Sequence, residues 1–501
     1  MRQIILAKRD YHHEKGVRVR ALLLVALCAF ATLLSSCGAR RTPNLSRIFA
    51  EARTRTGKRP VIIIPGILGS QLVNEETGEV AWPSVFRASD DGLSLPLTPD
   101  LERNRDKLVA RKIIDTLKLS RLVPEVYVYH ELLEAMRNYG GYREGDWNNP
   151  SVDGDRDAFY VFPYDWRRDN VETARELVRR IDALKRRLNR PDLKFNIVAH
   201  SMGGLIARYA AMYGDADLPP DTSQPVPTWA GASSISKIFM MGTPNEGSAD
   251  AFSTLLEGYS ITEGLRRRVR LLNKLSREDA LTAPSIFQLM PHSASVRFLD
   301  GDLKPLKIDL YDPTVWRQYG WSPVADPNYR RRFIEGKPDG DYAPFGRGSL
   351  EDLDAYFAAV LHRAKRFHEA LDAPVDTEAP VALFAFGGDC EETLDAPVLL
   401  RDEKRNGWVT LTAPRSIRNS SGVRITAKAA TLAMYQPGDG RVTRRSLLAE
   451  DLALKHRASP LFNTALPITY AIFACDLHGD LQNNKTLQDN ALTALVSEAI
   501  K

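Results

Sequence analysis

Long apolar runs are scarce in this sequence, and none reaches the roughly 20 residues that a helix needs to cross a bilayer. The longest candidate, Ala21 to Leu34, has 14. Cysteine is as sparse, four in 501 residues with no Cys-x-x-Cys pair, which excludes a disulfide-dense scaffold and paired-cysteine zinc sites. A one-sided charge is also missing. The formal net charge is +5, but the first 36 residues hold six Lys or Arg against Asp10 and Glu14, so the rest carries only +1. A nearly neutral body without a basic stripe interleaved with aromatics marks no nucleic-acid partner. There is no His-Glu-x-x-His, P-loop or dinucleotide fingerprint. Asp153-Gly154-Asp155-Arg156-Asp157 opens like a calcium loop, but Ala158 and Tyr164 occupy the positions where an EF-hand requires Gly and Glu. No cofactor or metal is implied. What is present, 44% hydrophobic and 26% charged residues, suits one large core or two ordinary ones.

The N-terminus reads as targeting. A basic stretch ending Arg18-Val19-Arg20 precedes the apolar run, as in a signal segment. Leu34-Ser35-Ser36-Cys37 then resembles the lipobox of bacterial lipoproteins, which implies a lipid-bearing Cys37 and a membrane-anchored place in the cell envelope, facing the periplasm or the exterior. A permanent anchor, or ordinary cleavage with Cys37 merely nearby, are the alternatives. Residues 1–37 form the signal segment, and polar, basic 38–58 form a tether. A folded body is expected from Arg59 to the end. Cys28 leaves with the signal, so Cys390 and Cys475 remain for one disulfide in an oxidising compartment. Each lies at the end of a predicted strand, on one rim of the sheet.

The body alternates β-branched or aromatic runs with amphipathic stretches, the pattern of a parallel sheet covered by helices. Strands are expected at Val61 to Ile64, Phe159 to Phe162, Phe195 to Val198, Lys237 to Met241, Val381 to Phe386, Ala427 to Met434 and Ile468 to Ala474. A helix is expected over Asn170 to Leu188, another begins near Met202, and Leu447 to His456 reads as a third. The fold class is a doubly wound, mostly parallel α/β sheet. Two stretches interrupt it, about 82–157 and 248–345, and read as cap insertions over the carboxyl ends of the strands. Their arginine clusters, Arg266 to Arg268 and Arg330 to Arg332, read as solvated faces, with contact to anionic lipid as the sharper alternative. Part of Trp82 to Arg111, with Trp82, Phe86 and several leucines, has the composition of a lid over an acyl groove.

The strongest chemical signal is Phe195-Asn196-Ile197-Val198-Ala199-His200-Ser201-Met202-Gly203-Gly204. A strand, a tight turn and a helix put Ser201 on a nucleophile elbow, with small Ala199 and Gly203 two positions to either side. Ala stands where the first Gly is usual. The Met202 backbone N–H, at the helix start, faces a developing oxyanion. A second donor is expected from Pro65-Gly66-Ile67-Leu68-Gly69-Ser70, where glycines let the main chain approach an ester. Leu68 is favoured and Ile67 is the alternative. Hydrolases of this class order their triad as Ser, acid, His. Of the nine histidines, His456 and His478 come last in the chain. His456 falls in the expected helix, whereas His478 follows a strand by a short turn. Imidazole suits a general base at neutral pH.

Val61 to Leu72, Phe162-Pro163-Tyr164-Asp165-Trp166-Arg167-Arg168, the Ser201 elbow, Met241-Gly242-Thr243-Pro244 and Gly438-Asp439-Gly440-Arg441-Val442 together resemble the lecithin:cholesterol acyltransferase family, from about Arg59 onward and least in the cap. The resemblance implies an α/β-hydrolase fold, Asp439 as the acid and His478 as the base. It also implies transfer of an acyl chain from a glycerophospholipid, through an acyl-serine, to an alcohol or to water. Hydrolase and transferase share every residue named. The reading from another class is a catalytically inactive lipid-binding or envelope-structural lipoprotein that keeps the fold. Asp165 and Trp166 read as a capping Asp with a core Trp, or as wall of an acyl pocket.

Overall fold

The computed structural model describes residues 42–83, 92–117, 126–260, 274–335, 348–374, 379–404, 406–419, 421–452 and 464–497. Cys37, the signal segment, the start of the tether, Phe86, Arg266 to Arg268 and His456 lie outside them.

Seven parallel strands form the central sheet. They are β1 (Val61–Ile64), β2 (Arg143–Glu144), β3 (Ala158–Val161), β4 (Phe195–His200), β5 (Ile235–Met241), β6 (Ala382–Gly388) and β7 (Ile468–Ala474), in the order β7-β6-β5-β4-β1-β3-β2. The chain starts in the middle and winds both ways, so β1 and β4 lie side by side with Ile64 opposite Ala199. Their carboxyl ends therefore deliver the Pro65–Gly69 turn and the Ser201 elbow to the same place.

Alternation along the strands explains the two layers of helix. Val61, Ile63, Phe159, Val198, Phe239, Met241 and Phe386 point to one face, and pack on α1 (Leu45–Ile48), α2 (His130–Asn138) and, at the end of the chain, α6 (Lys485–Val496). Ile62, Ile64, Tyr160, Ile197, Ala199, Ile238 and Met240 point to the other, under α3 (Asn170–Arg187), α4 (Met202–Tyr213) and α5 (Leu350–Leu371). Both faces are covered, as a parallel sheet requires. In α3 the Asp169 carboxylate caps the Glu172 N–H, and Lys185, Arg186 and Arg187 close the last turn, each charge matched to the helix dipole. Every residue of α4 is buried, so the helix that starts just after Ser201 is held from all sides.

Several expectations change. The folded body begins at Leu45, not Arg59, because Leu45, Phe49 and Ala52 are buried against the α1 face of the sheet and buried Lys58 pairs with Asp157 at 2.7 Å. Ala427–Met434 is a helix rather than a strand. Its alanines favour helix, and the Thr426 hydroxyl caps Ala429 N. The helix expected over Leu447 to His456 instead spans Arg444–Leu448 and stops at Ala449, which takes a left-handed φ of 54°. The first interruption is not a simple roof, since 82–157 supplies α2 and β2 to the body. In the second, Arg330 is tied to Asp354 at 2.7 Å.

Candidate active site

The elbow forms because the small Ala199 and Gly203 leave no bulky side chain in the way. A Cβ on Gly203 would stand 2.7 Å from the Pro65 carbonyl and 2.8 Å from that of Ile64, so only glycine lets α4 start this close to β1. Ser201 takes φ 52° and ψ −125°, a strained conformation for a residue with a Cβ. Its N–H is held by the Met241 carbonyl of β5 at 2.7 Å.

The structure brings Ser201, His478 and Asp439 together from three parts of the chain. His478 Nε2 lies 2.9 Å from Ser201 Oγ, and His478 Nδ1 lies 2.8 Å from Asp439 Oδ2. Asp439 Oδ1 accepts the Arg441 and Val442 N–H groups at 3.0 and 2.7 Å, and the Asp439 carbonyl accepts the His478 N–H at 2.8 Å. All three residues are buried. With the Asp439 carboxylate an acceptor, His478 carries its proton on Nδ1 and offers Nε2 to the serine hydroxyl.

The Pro65–Gly69 turn sits directly against the serine, since a Cβ on Gly66 would meet Ser201 Cβ at 2.8 Å. Three aromatic side chains clamp this turn. Tyr164 donates its hydroxyl to the Pro65 carbonyl at 2.8 Å, Tyr129 Oη accepts the Gly66 N–H at 2.8 Å, and the Trp82 indole donates to the Leu68 carbonyl at 2.9 Å. Gly69 N–H closes the turn onto the Gly66 carbonyl. Among the described residues, the N–H groups of Ile67, Leu68 and Met202 donate to nothing. Leu68 has φ 62°. Such N–H groups can donate to a substrate oxygen.

Tyr164 thus explains one residue of the Phe162–Arg168 motif. Trp166 is fully buried and meets the Trp82 ring edge-on at 5.6 Å, while Asp165 and Asp106 both pair with buried Arg167. The Arg167 guanidinium also donates to the Leu93 carbonyl at 3.0 Å. Trp82, Leu93 and Asp106 are therefore tied to the body in this structure. Residues 84–91 lie outside those described.

Cys390 and Cys475 are joined, with Cα atoms 5.3 Å apart. They end near the site, because Glu391 pairs with Gly438 and bridges to Asp439, and Cys475 lies three residues before His478. Cys390, Glu391 and Cys475 also form the one His/Cys/Asp/Glu cluster of metal-binding dimensions among the described residues, but the bonded sulfurs leave a single carboxylate there, which does not make a metal site. No described helix is long and apolar enough to cross a membrane.

Sequence reading missed Tyr129, Gly242 and the role of His200. Nothing local singles out Tyr129, which stands far from every motif along the chain. Gly242 lies in the Met241-Gly242-Thr243-Pro244 motif, and His200 in the elbow, but their contacts with His478 depend on the sheet.

The lecithin:cholesterol acyltransferase family pattern matches residues 107–324, a span that contains Ser201 but neither Asp439 nor His478. A lecithin-cholesterol acyltransferase-like protein of Arabidopsis thaliana is 25% identical over 258 residues, 46% of this chain and 42% of the relative's length. The chain thus matches less than half of that curated relative. Among solved structures, a chain of the Tle4–Tli4 complex superposes with a TM-score of 0.53 at 15% identity, covering 89% of this chain and all of that one, a likeness of fold. A Bacillus licheniformis lipase, BlEst2, gives a TM-score of 0.32 at 11% identity, over 88% of this chain and 93% of its own. Family pattern and curated relative agree that the middle of this chain is similar to the lecithin:cholesterol acyltransferase family, and the central sheet is that of an α/β-hydrolase.

Proposed function

We propose that this protein is a serine-dependent lipid ester hydrolase or O-acyltransferase that works through an acyl-serine, with glycerophospholipid as acyl donor. The observation that carries the reading is the continuous line from Ser201 Oγ through His478 to the buried Asp439 carboxylate. His478 Nε2 takes the Ser201 proton as Oγ attacks the ester carbonyl. Asp439, anchored by two backbone N–H groups, holds the tautomer that leaves Nε2 free and stabilises the imidazolium that forms. The negative charge on the carbonyl oxygen is met by the Met202 N–H at the start of α4 and by an N–H of the clamped turn, Leu68 or Ile67. The turn's three side-chain clamps support this, because donors fixed in advance do not reorganise during reaction. His478 then returns its proton to the departing alcohol. Water or an acceptor alcohol repeats the sequence in reverse to free Ser201. The lipid donor is argued from the family alone.

The chain's place in the cell is part of the same proposal. Acyl chains on Cys37 would hold the body at a bilayer of the cell envelope, where its substrate is. A fluorophosphonate probe tests the chemistry. Wild type should label and Ser201→Ala should not, whereas an unlabelled wild type points to a lipid-binding protein that keeps the fold without the reaction.

A further inference from the structure

His200 and His478 stand with ring centroids 5.0 Å apart, yet their side chains make no hydrogen bond to each other. Instead His200 Nε2 lies 3.0 Å from the main-chain carbonyl of His478, and His200 Nδ1 lies 2.8 Å from the Tyr129 hydroxyl. That hydroxyl is also the partner of the Gly66 N–H at 2.8 Å. One line of hydrogen bonds thus runs from the oxyanion turn to the main chain of the base.

Elementary chemistry fixes the direction of every bond in it. An amide N–H only donates, so Tyr129 Oη accepts from Gly66 and its own proton goes to His200 Nδ1. A carbonyl only accepts, so His200 carries its proton on Nε2 and donates it to His478. Burial, with the neighbouring His478 charge adding to it, lowers His200 to about 3. Burial likewise pushes the Tyr129 hydroxyl well above its ordinary range. Neither group changes charge near neutrality, and the line keeps its polarity. A neutral ring is also what an imidazolium at His478 tolerates beside it.

We propose that Tyr129 and His200 are positioning residues, which hold the oxyanion turn at Gly66 and the main chain of His478 at a fixed separation on either side of Ser201. The base is then gripped at both main-chain ends, its N–H by the Asp439 carbonyl and its carbonyl by His200. A Cβ on Gly66 would stand 2.8 Å from Ser201 Cβ and 3.1 Å from His200 Nδ1, so a side chain there would crowd both the serine and this line. Neither residue touches the reacting atoms. This role rests on the reading of Ser201 as nucleophile.

The test compares fluorophosphonate labelling rates and, on a lipid ester, kcat and KM for wild type, Tyr129→Phe, His200→Asn and the double variant. Tyr129→Phe removes one oxygen from a buried ring and keeps its volume. His200→Asn keeps an acceptor facing Tyr129 and loses the donor to His478. Each single change should lower the labelling rate and kcat by roughly ten- to a hundredfold, as small misplacements do, with KM and melting temperature nearly unchanged. The double variant should lose less than the product of the two. Single variants that label like wild type, or losses that multiply, overturn the proposal. A wild type that does not label overturns the functional reading and this inference with it. NMR of the histidine nitrogens in unmutated protein is independent of any variant: His200 should be the Nε2–H tautomer at neutral pH, and the Nδ1–H tautomer overturns the line.

Discussion

Gly242 is the floor under the ring of His478. A Cβ built on it would stand 3.0 Å from both Nδ1 and Cε1 of the imidazole and 2.9 Å from Leu481 Cδ1, and its φ of 61° disfavours any side chain. Gly242→Ala should therefore displace the base and strain the turn together. We expect at least a tenfold lower rate of Ser201 labelling and a melting temperature lower by a few degrees. Labelling at the wild-type rate would show that the ring does not depend on this contact.

His478→Ala, with folding intact by circular dichroism, should lose ester hydrolysis by several orders of magnitude, and adding Ser201→Ala should cost little more, as members of one catalytic unit behave. His456→Ala should hydrolyse normally. Reversed outcomes for the two histidines would remove His478 from the triad and leave Ser201 in it.

The Cys390–Cys475 bond closes a loop of 85 residues, for which the chain-entropy treatment gives about 4 to 5 kcal/mol. Because the loop contains Asp439 and ends close to His478, Cys390→Ser should lower both the melting temperature and the rate of labelling. Mass spectrometry of protein from an oxidising compartment that finds both thiols free would refute the bond.

Glu246 supplies a pH dependence of stability. Burial raises its carboxyl to about 8, with Asp451 and Asp372 adding to the shift and the Leu452 N–H and Arg297 opposing it. The folded state therefore keeps a proton that the unfolded chain gives up near 4.5. Its contribution to stability is full below that value and is lost as pH rises toward 8, at up to about 1.4 kcal/mol per pH unit. Glu246→Gln should flatten the fall in melting temperature between pH 5 and 8. Parallel curves for wild type and variant would mean that Glu246 titrates normally.

Cys37→Ser should release soluble protein that still labels at Ser201, since acyl chains on Cys37 are the proposed anchor. If the variant stays with the membrane fraction, an uncleaved N-terminal helix holds it there.

Local patterns were enough for much of this molecule. The all-apolar Val61 to Ile64, the strand, elbow and helix around Ser201, the order Ser201, Asp439, His478 and the two cysteines at strand ends could all be read from the chain. The strand and the elbow depend on short-range rules, since β-branched residues fill a sheet covered on both sides and small neighbours allow a sharp turn, whereas Asp439 and His478 came from the family resemblance and the order of the triad. Ala427–Met434 misled because an apolar run is ambiguous between strand and helix, and the alanines and the Thr426 cap decided it. Leu45, Phe49 and Ala52 were legible as a tether only because the surface they bury was out of sight. Tyr129, Gly66, Gly242 and His200 belong wholly to the tertiary structure. Gly66 and Gly242 end strands that the doubly wound order sets on either side of β4, and Tyr129 enters α2 beneath them. The sequence determined which residues are candidates for the chemistry. The sheet decided which carbonyls, ring nitrogens and glycines hold them in register, because hydrogen bonds of about 3 Å between residues hundreds of positions apart exist only after the strands have paired.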